Sequence, residues 1–307
     1  MNLPKTPQQW AIHLTKLLNA FTAAHGLQRF PINIVDIAHE FSKHAFPDAP
    51  ITAFEGIKTS NNFEGALFRH PERKNEWGIF YNENIQSSGR KNFTLAHEFG
   101  HYLLHRAAFP DGLQCSSRSM LDWDEERGEI EGQANTFASF FLMPLDDFRA
   151  QIKGHKPSMD LMCHLADRYA VSLSAATLKW LDVCGKRAMI VFGRDGYIDW
   201  AWSSKELLLS GIFYRSRSGP TTELPKLSLA ARQDPLVDNR SGILHPKGIW
   251  PGQEEVHEMT ILGKRGEMTV SLLLYPDDPP SRFAQIDDED GGLMDTYEKF
   301  VRGGQVP

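Results

Sequence analysis

The sequence has few cysteines, no surplus of positive charge and no long apolar run, and each shortage excludes a class of protein. Three cysteines occur among 307 residues and no two of them form a C-x-x-C pair, so we expect a reducing compartment and no disulfide framework. The net charge of −6 gives no general attraction to nucleic acid. No apolar run approaches the ~18 residues of a membrane span, and residues 1–10 lack the apolar segment of a signal peptide. The sequence therefore predicts a cytoplasmic protein that does not enter a membrane.

The apolar content is sufficient for a sizeable core. Hydrophobic residues make up 41% of the chain and charged residues 23%, as in ordinary globular proteins. The length favours one large or two moderate domains. We find no internal repeats. The chain is therefore expected to fold around a conventional hydrophobic core.

The spacing of apolar residues changes along the chain and divides it into segments. Helical spacing predicts a helix over 6–25 and another in "NIVDIAHEFSKH", and short strands follow in "ITAFEG", "EGALFRH" and "EWGIFYN". A polar loop is predicted over 109–120, a long helix over 124–142 and a helical hairpin over 158–182. Beyond about residue 186 the spacing becomes that of strands. The first helix is predicted to face inward with Trp10, Leu14, Leu17, Leu18 and Phe21.

His97 and His101 are four residues apart on a predicted helix, in the segment "FTLAHEFGHYLLHR". Side chains at i and i+4 lie on the same helix face, so both imidazoles can reach one metal ion. Glu98 lies near the edge of that face, where its carboxylate can take a proton from a metal-bound water. Gly100 is a poor helix former, and its position beside a ligand indicates close approach of another backbone or of substrate. The pattern predicts a metal site, although H-E-x-x-H also occurs by chance on buried helices.

A hydrolytic zinc site needs a third protein ligand, and the helix predicted over 124–142 offers acidic candidates. Glu131 is in line with Ala134 and Ala138, whose small side chains allow a neighbouring helix to come close. The pattern favours Glu131 over Glu129 without excluding Glu129. The candidates in this region are Asp122, Asp124, Glu125, Glu126, Glu129 and Glu131, of which Glu125 and Glu126 are expected to face solvent.

A metzincin site is excluded by one position. That class requires a histidine ten residues after the first ligand, and the residue ten positions after His97 is Ala107. A carboxylate supplied by a second helix is the remaining common solution.

The segments "FTLAHEFGHYLLH" and "EGQANTFASFFLMP" together resemble the ImmA/IrrE family of zinc-dependent metallo-endopeptidases. "PINIVDIAHEF", "EGALFRH" and "GIFYN" upstream and "LADRYAVSLSAATLKWLD" downstream extend the resemblance over residues 30 to 182 or so. The resemblance implies that His97, His101 and Glu131 are zinc ligands and that Glu98 is the catalytic acid and base. Two positions depart from the usual pattern of the family. Phe99 stands where an aliphatic residue is more usual, and Gln133 stands where the family often has an acid. Neither residue is a proposed ligand.

The resemblance also implies a substrate, and together with the change in spacing near residue 186 it gives the expected architecture. Members of this family cleave helix-turn-helix transcriptional repressors and so relieve repression, and we expect limited cuts in such a repressor. The expected fold is α+β: a zincin-like metalloprotease domain over 1–150, a helix-turn-helix-like extension over 151–185, and a β-rich C-terminal domain over 186–307 with no assigned role.

Several further residues have candidate roles at or near this site. His105 lies two turns beyond His97 and could contact substrate or the oxyanion, or simply end the helix favourably. Tyr102 could orient Glu98 or contact substrate, or pack in the core. Cys115 is near the ligands in sequence, but a structural role is favoured. His257-Glu258 lacks a second histidine and is not expected to bind metal.

Two other functions stay open from the sequence. In the first, the hairpin over 158–182 binds DNA and the metal site is vestigial, although Lys179 is the only basic residue of its second helix. In the second, the metal is structural and the protein is a sensor or scaffold. A His/His/Glu site also accepts several divalent ions besides zinc. The strand "EWGIFYN" could offer an edge on which an extended substrate pairs.

Overall fold

The computed structural model describes residues 3–59, 63–116, 125–214, 222–233, 238–263 and 267–277, and it has an α+β fold, as predicted. The helices are α1 (Pro7–His25), α2 (Ile34–Ala45), α3 (Ser88–His105), α4 (Glu125–Leu142), α5 (Leu145–Ile152), α6 (Met159–Tyr169), α7 (Leu173–Val183), α8 (Lys205–Leu209) and α9 (Leu229–Arg232). The strands are β1 (Ile51–Ile57), β2 (Phe63–Arg69), β3 (Trp77–Asn82), β4 (Gly112–Ser116), β5 (Ala188–Arg194), β6 (Tyr197–Ser203), β7 (Ile243–His245), β8 (Val256–Leu262) and β9 (Met268–Leu274). Among the described helices, none has both the length and the apolarity needed to cross a membrane.

The first sheet has the strand order β1-β3-β2-β4. β1 and β3 are parallel, and β2 runs antiparallel to both of its neighbours. Because β3 is paired on both sides, the hypothesis that "EWGIFYN" offers a free edge to substrate is wrong. β4 lies in the segment predicted to be a polar loop, and it takes the edge position beside β2.

The helices α1 to α4 share one hydrophobic core with this sheet. Phe99 of α3 lies 5.7 Å from Phe137 and 6.3 Å from Phe141 of α4, measured between ring centroids. Trp10 of α1 is buried in the same core, but Leu17 and Phe21, predicted to face inward, are 48% and 54% exposed. α1 buries Trp10 and Leu14 as predicted, but Ala11, Thr15 and Thr22 complete its buried face in place of Leu17 and Phe21. The buried residues of α1 are Trp10, Ala11, Leu14, Thr15 and Thr22.

The hairpin of α6 and α7 packs against the start of α3. Ser158 and Ser172 cap the two helices, and Ala170 between them adopts a left-handed conformation at φ 48°. The Asn92 side-chain amide of α3 donates to the backbone carbonyl of Ala170 at 3.2 Å. The hairpin is therefore fixed to the helix that carries His97.

The second sheet is antiparallel throughout and has the strand order β6-β5-β9-β8-β7. One face adds Ile190, Met259 and Leu272 to the same core as α3 and α4. The opposite face forms a second core that includes Trp250 and Leu273. The predicted division at residues 150 and 185 stays a prediction, and residues 278–307 of the predicted C-terminal domain lie outside the described residues.

Candidate metal centre

α3 places His97, Glu98 and His101 in the interior. The helix begins after Ser87, whose hydroxyl accepts a hydrogen bond from the backbone N–H of Arg90 at 3.3 Å. One face then packs on the first sheet and another on α4, so that His97, Glu98 and His101 are only 5%, 0% and 0% exposed. Burial of such groups is costly unless they have partners or hold an ion.

α4 approaches α3 most closely beside these residues. A Cβ added to Gly100 would lie 3.2 Å from the Cα of Ala134, closer than most side chains allow. The interpretation of Gly100 as a point of close backbone approach is therefore confirmed. The short distance between the helices brings Glu131, one turn before Ala134, next to both histidines.

The structure distinguishes Glu131 from the other acidic candidates. Glu131 is 7% exposed, whereas Glu129 on the same helix is exposed to solvent. Asp122 and Asp124 lie outside the described residues, as do the side chains of Glu125 and Glu126. The sequence favoured Glu131 over Glu129, and of the two only Glu131 faces the histidines.

The ligand atoms of the three side chains converge. The Nε2 atoms of His97 and His101 are 2.9 Å apart. The two carboxylate oxygens of Glu131 lie 3.1 Å from His97 Nε2 and 3.6 Å from His101 Nε2. Among the described residues, this is the one group of three or more His, Cys, Asp or Glu side chains whose ligand atoms converge in this way, all lying within 4.8 Å of one another.

This arrangement fits a divalent ion of the size of zinc. In a tetrahedral site with metal–ligand distances of about 2.1 Å, neighbouring ligand atoms are roughly 3.4 Å apart. The three measured separations lie on both sides of that value. Two imidazoles and one carboxylate also form a ligand set typical of hydrolytic zinc sites, which keep a fourth position open.

Asn135 fixes the orientation of one histidine. Its side-chain oxygen lies 2.8 Å from Nδ1 of His97. An imidazole that binds metal through Nε2 carries its proton on Nδ1, and an acceptor for that proton fixes both tautomer and ring orientation. Asn135 was not recognised from the sequence as part of the site, although its position four residues after Glu131 places it on the same helix face.

The charges of the three side chains are coupled. Burial alone would lower the pKa of His97, but the hydrogen bond and charge of Glu131 outweigh burial and raise this pKa to about 9. Burial lowers the pKa of His101 to about 4. Burial opposes ionisation of Glu131, but hydrogen bonds from His101 and His97 prevail and lower its pKa. Glu131 is thus anionic and His101 neutral near pH 7, as metal ligands must be, and an ion would take the place of the proton on His97.

Glu98 is held against the first sheet by β2. A Cβ added to Gly65 would lie 2.6 Å from Glu98 Oε1 and 2.7 Å from the methyl carbon of Thr94. The carboxylate therefore occupies space that a glycine leaves open. No sequence signal indicated this contact, because Gly65 and Glu98 are distant in the chain.

His105 and Tyr102 both have protein partners in the interior. Nδ1 of His105 lies 3.0 Å from Nδ1 of His101, and Nε2 lies 3.1 Å from the side-chain oxygen of Gln133. Both ring nitrogens of His105 thus face protein atoms, and a contact of His105 with substrate or the oxyanion stays a prediction. Tyr102 is fully buried and its hydroxyl donates to the carbonyl of Ala49 at 2.6 Å, which supports the alternative that it packs in the core.

The second helix of the hairpin is largely buried. Residues 176–181 of α7 are all buried. Lys179, its one basic residue, is 3% exposed and lies over the ring of Phe140 at 3.7 Å. A recognition helix needs an exposed face for the major groove, so this geometry argues against DNA contact through α7. The side chain of Cys115 lies outside the described residues.

Comparison with known proteins gives one result for the region around this site. Residues 56–181 match the family model of the IrrE N-terminal-like domain, a peptidase family designated M78. The match includes α3, α4 and the helical hairpin, and the second sheet lies outside it. No curated protein matched the chain.

Proposed function

We propose that the chain is a zinc-dependent endopeptidase that makes limited cuts in a protein substrate. Residues 56–181 belong to the IrrE N-terminal-like family of peptidases, as the resemblance to ImmA/IrrE proteins predicted. One observation carries the proposal. The ligand atoms of His97, His101 and Glu131 converge in the interior, and Glu98 is buried beside them on the same helix as the two histidines.

Each residue of the site has a chemical task in peptide hydrolysis. His97, His101 and Glu131 would hold the ion, and Asn135 keeps the His97 ring oriented. When bound, zinc lowers the pKa of a coordinated water towards ~7 and stabilises negative charge on the substrate carbonyl oxygen. Glu98 accepts a proton at its carboxylate as the water oxygen attacks the carbonyl carbon. It then gives that proton to the amine nitrogen as the C–N bond breaks.

The proposed substrate is a helix-turn-helix transcriptional repressor, whose cleavage would relieve repression. Support for this choice is the resemblance to ImmA/IrrE proteins. Direct DNA binding is disfavoured by the net charge of −6 and the burial of α7. A sensor or scaffold with a structural zinc ion is the alternative. Tight zinc binding without any Glu98-dependent cleavage would favour that alternative.

The test is cleavage of a purified cognate repressor by the full chain loaded with zinc. We expect Glu98→Gln to bind zinc as the parent does while cleavage falls by about 10²–10⁴-fold, since a positioned acid or base contributes that much. The chain offers a matched control, because Ala38-His39-Glu40-Phe41 repeats the local sequence Ala96-His97-Glu98-Phe99. Glu40→Gln on the surface of α2 should leave cleavage unchanged.

Measuring the zinc content of each variant separates loss of the metal ion from loss of catalysis. The parent and Glu98→Gln proteins should retain about one zinc ion per chain, and His97→Ala should lose it, because two ligands alone hold zinc weakly. Equal cleavage by the parent and Glu98→Gln would contradict the mechanism. Cleavage of an unstructured protein but not of the repressor would contradict the choice of substrate.

A further inference from the structure

A line of hydrogen bonds connects His101 to the surface of α4. His101 Nδ1 is 3.0 Å from His105 Nδ1, and His105 Nε2 is 3.1 Å from Gln133 Oε1. The amide nitrogen of Gln133 in turn donates to Glu129 Oε1 at 3.1 Å. His101 and His105 are 0% and 7% exposed, whereas Glu129 is exposed. The line therefore runs from the interior to solvent.

The chemistry of the ring nitrogens determines which atom donates and which accepts in each of these hydrogen bonds. If His101 presents Nε2 to an ion, its Nδ1 carries the proton and donates to Nδ1 of His105. His105 then carries its own proton on Nε2, where the oxygen of Gln133 accepts it. The amide group of Gln133 donates onward to Glu129. Each donor faces an acceptor, so every tautomer and the Gln133 amide orientation are determined.

The two histidine ligands are thus supported in different ways from the same helix. His97 reaches an oxygen of α4 directly, through Asn135 at 2.8 Å. For His101 the His105 imidazole lies between the ligand and Gln133. α4 therefore provides the Glu131 carboxylate together with the acceptors that support both histidines.

We propose that His105 and Gln133 are positioning residues that act in series on His101 and thereby set the affinity of the site for its divalent ion. This proposal rests on the proposed function. Loss of a partner that orients a metal-bound histidine typically weakens metal binding by about 10–100-fold. Because Gln133 acts only through His105, its contribution disappears when His105 can no longer accept or donate.

The test measures zinc affinity by competition with a chromophoric chelator, and the absorption spectrum of bound Co²⁺ as a report on ligand geometry. His105→Leu removes both hydrogen bonds and should weaken zinc binding about 10–100-fold and change the Co²⁺ spectrum. Gln133→Leu should weaken it less. His105→Gln keeps an acceptor and a donor, and should bind zinc within about threefold of the parent.

The double variant shows whether Gln133 acts through His105 or whether the two residues contribute to packing independently. Zinc affinity of His105→Leu/Gln133→Leu should equal that of His105→Leu alone, whereas two separate packing defects would add. The chain also contains an exposed pair of the same type, His164 with Gln151, whose Nε2 and Oε1 atoms are 3.0 Å apart. His164→Leu and Gln151→Leu should leave zinc affinity unchanged.

The outcomes separate this proposal from the proposed function. Parent-like zinc affinity in His105→Leu, additive losses in the double variant, or equal losses in His105→Gln and His105→Leu would each overturn the serial arrangement alone. A parent protein that binds no divalent ion would overturn the proposed function as well. If His105→Leu fails to fold, Gln133→Leu still tests the proposal, because Gln133 is only half-buried. A zinc affinity of Gln133→Leu equal to that of the parent overturns the proposal.

Discussion

At the scale of single residues, Gly65 matters because its missing side chain leaves the space that the Glu98 carboxylate occupies. We expect Gly65→Ala to displace the Glu98 carboxylate, since the new Cβ would lie 2.6 Å from Oε1. A displacement of about 1 Å in an active site can cost 10²-fold in rate. Cleavage should therefore fall by up to about that factor, while zinc affinity stays within about twofold, because no proposed ligand is touched. Both quantities are measured on the same preparation.

Gly128→Ala is the matched control for this change. A Cβ at Gly128 of α4 would meet nothing within 4 Å, so this variant should cleave at the parent rate. Parent-like cleavage by Gly65→Ala would show that β2 does not constrain Glu98.

The repeated tetrapeptide shows what residue identity can and cannot predict. Ala-His-Glu-Phe occurs in α2 and α3, but the His39 and Glu40 side chains are 42% and 58% exposed. The position four residues after His39 is Lys43, whereas His101 follows His97 at that spacing. The sequence therefore identified His101 and Glu131 as candidate ligands. The contacts of Gly65 with Glu98 and of His105 with Gln133 were not identified, because each joins separate elements.

At the scale of elements, the approach of α3 and α4 builds the site. A Cβ on Gly100 would lie 3.0 Å from the Phe137 ring and 3.2 Å from the carbonyl oxygen of Ala134. We expect Gly100→Ala to push α4 away, and Glu131 with it, so that zinc affinity falls. Overpacking costs typically 1–3 kcal/mol and the helical preference of alanine returns about 1 kcal/mol. The free energy of unfolding without zinc should fall by about 1 kcal/mol, as measured by urea denaturation.

A gain in unfolding free energy of about 1 kcal/mol, with zinc affinity unchanged, would contradict this view of Gly100. It would mean that the helices have room for a methyl group, and that only helical preference was altered.

The elements that the sequence predicted best are those with a strong apolar period. α3, α4 and the hairpin of α6 and α7 lie close to their predicted ranges. β4 was missed because the alternation in "GLQCS" covers only four residues within a polar segment, and its strand conformation depends on pairing with β2. A packing role for α7 was favoured from its apolar spacing, but a pattern gives one apolar face and cannot show that a second element covers the other. Short helices such as α8 have too few residues for a period.

At the scale of the whole molecule, one core continues from the helices into the second sheet, through residues such as Leu178 of α7 and Ile190 of β5. On the far face of that sheet, Glu258 is fully buried in a set of donors. His245 Nε2 and Trp250 Nε1 lie 2.7 Å and 2.9 Å from its Oε2. Backbone N–H groups of Leu229 and Ala230 donate to it at 3.0 Å and 3.1 Å. One carboxylate thus ties β7, β8 and α9 together.

This carboxylate predicts how the stability of the whole chain depends on pH. Burial would raise the pKa of Glu258, but the hydrogen bonds from His245 and Trp250 and from the two backbone N–H groups outweigh burial and lower it. A carboxylate with a lowered folded-state pKa stabilises the fold above its unfolded pKa of about 4.3. That contribution is lost as pH falls through the folded-state value. Hydrogen bonds to a charged group contribute about 1.5–3 kcal/mol each, so Glu258→Gln should lower the unfolding free energy at pH 7 by about 3 kcal/mol.

Urea denaturation of the ion-free parent and Glu258→Gln proteins from pH 7 down to pH 3 checks the sign. The difference in unfolding free energy between the two should be constant at neutral pH and shrink below about pH 4.3, because only the parent loses a charge there. Glu55→Gln in β1, at an exposed position, controls for the general effect of removing a carboxylate and should show no such difference. A difference between parent and Glu258→Gln that stays constant down to pH 3 would mean that Glu258 stabilises the second sheet by shape and hydrogen bonding alone, without its charge.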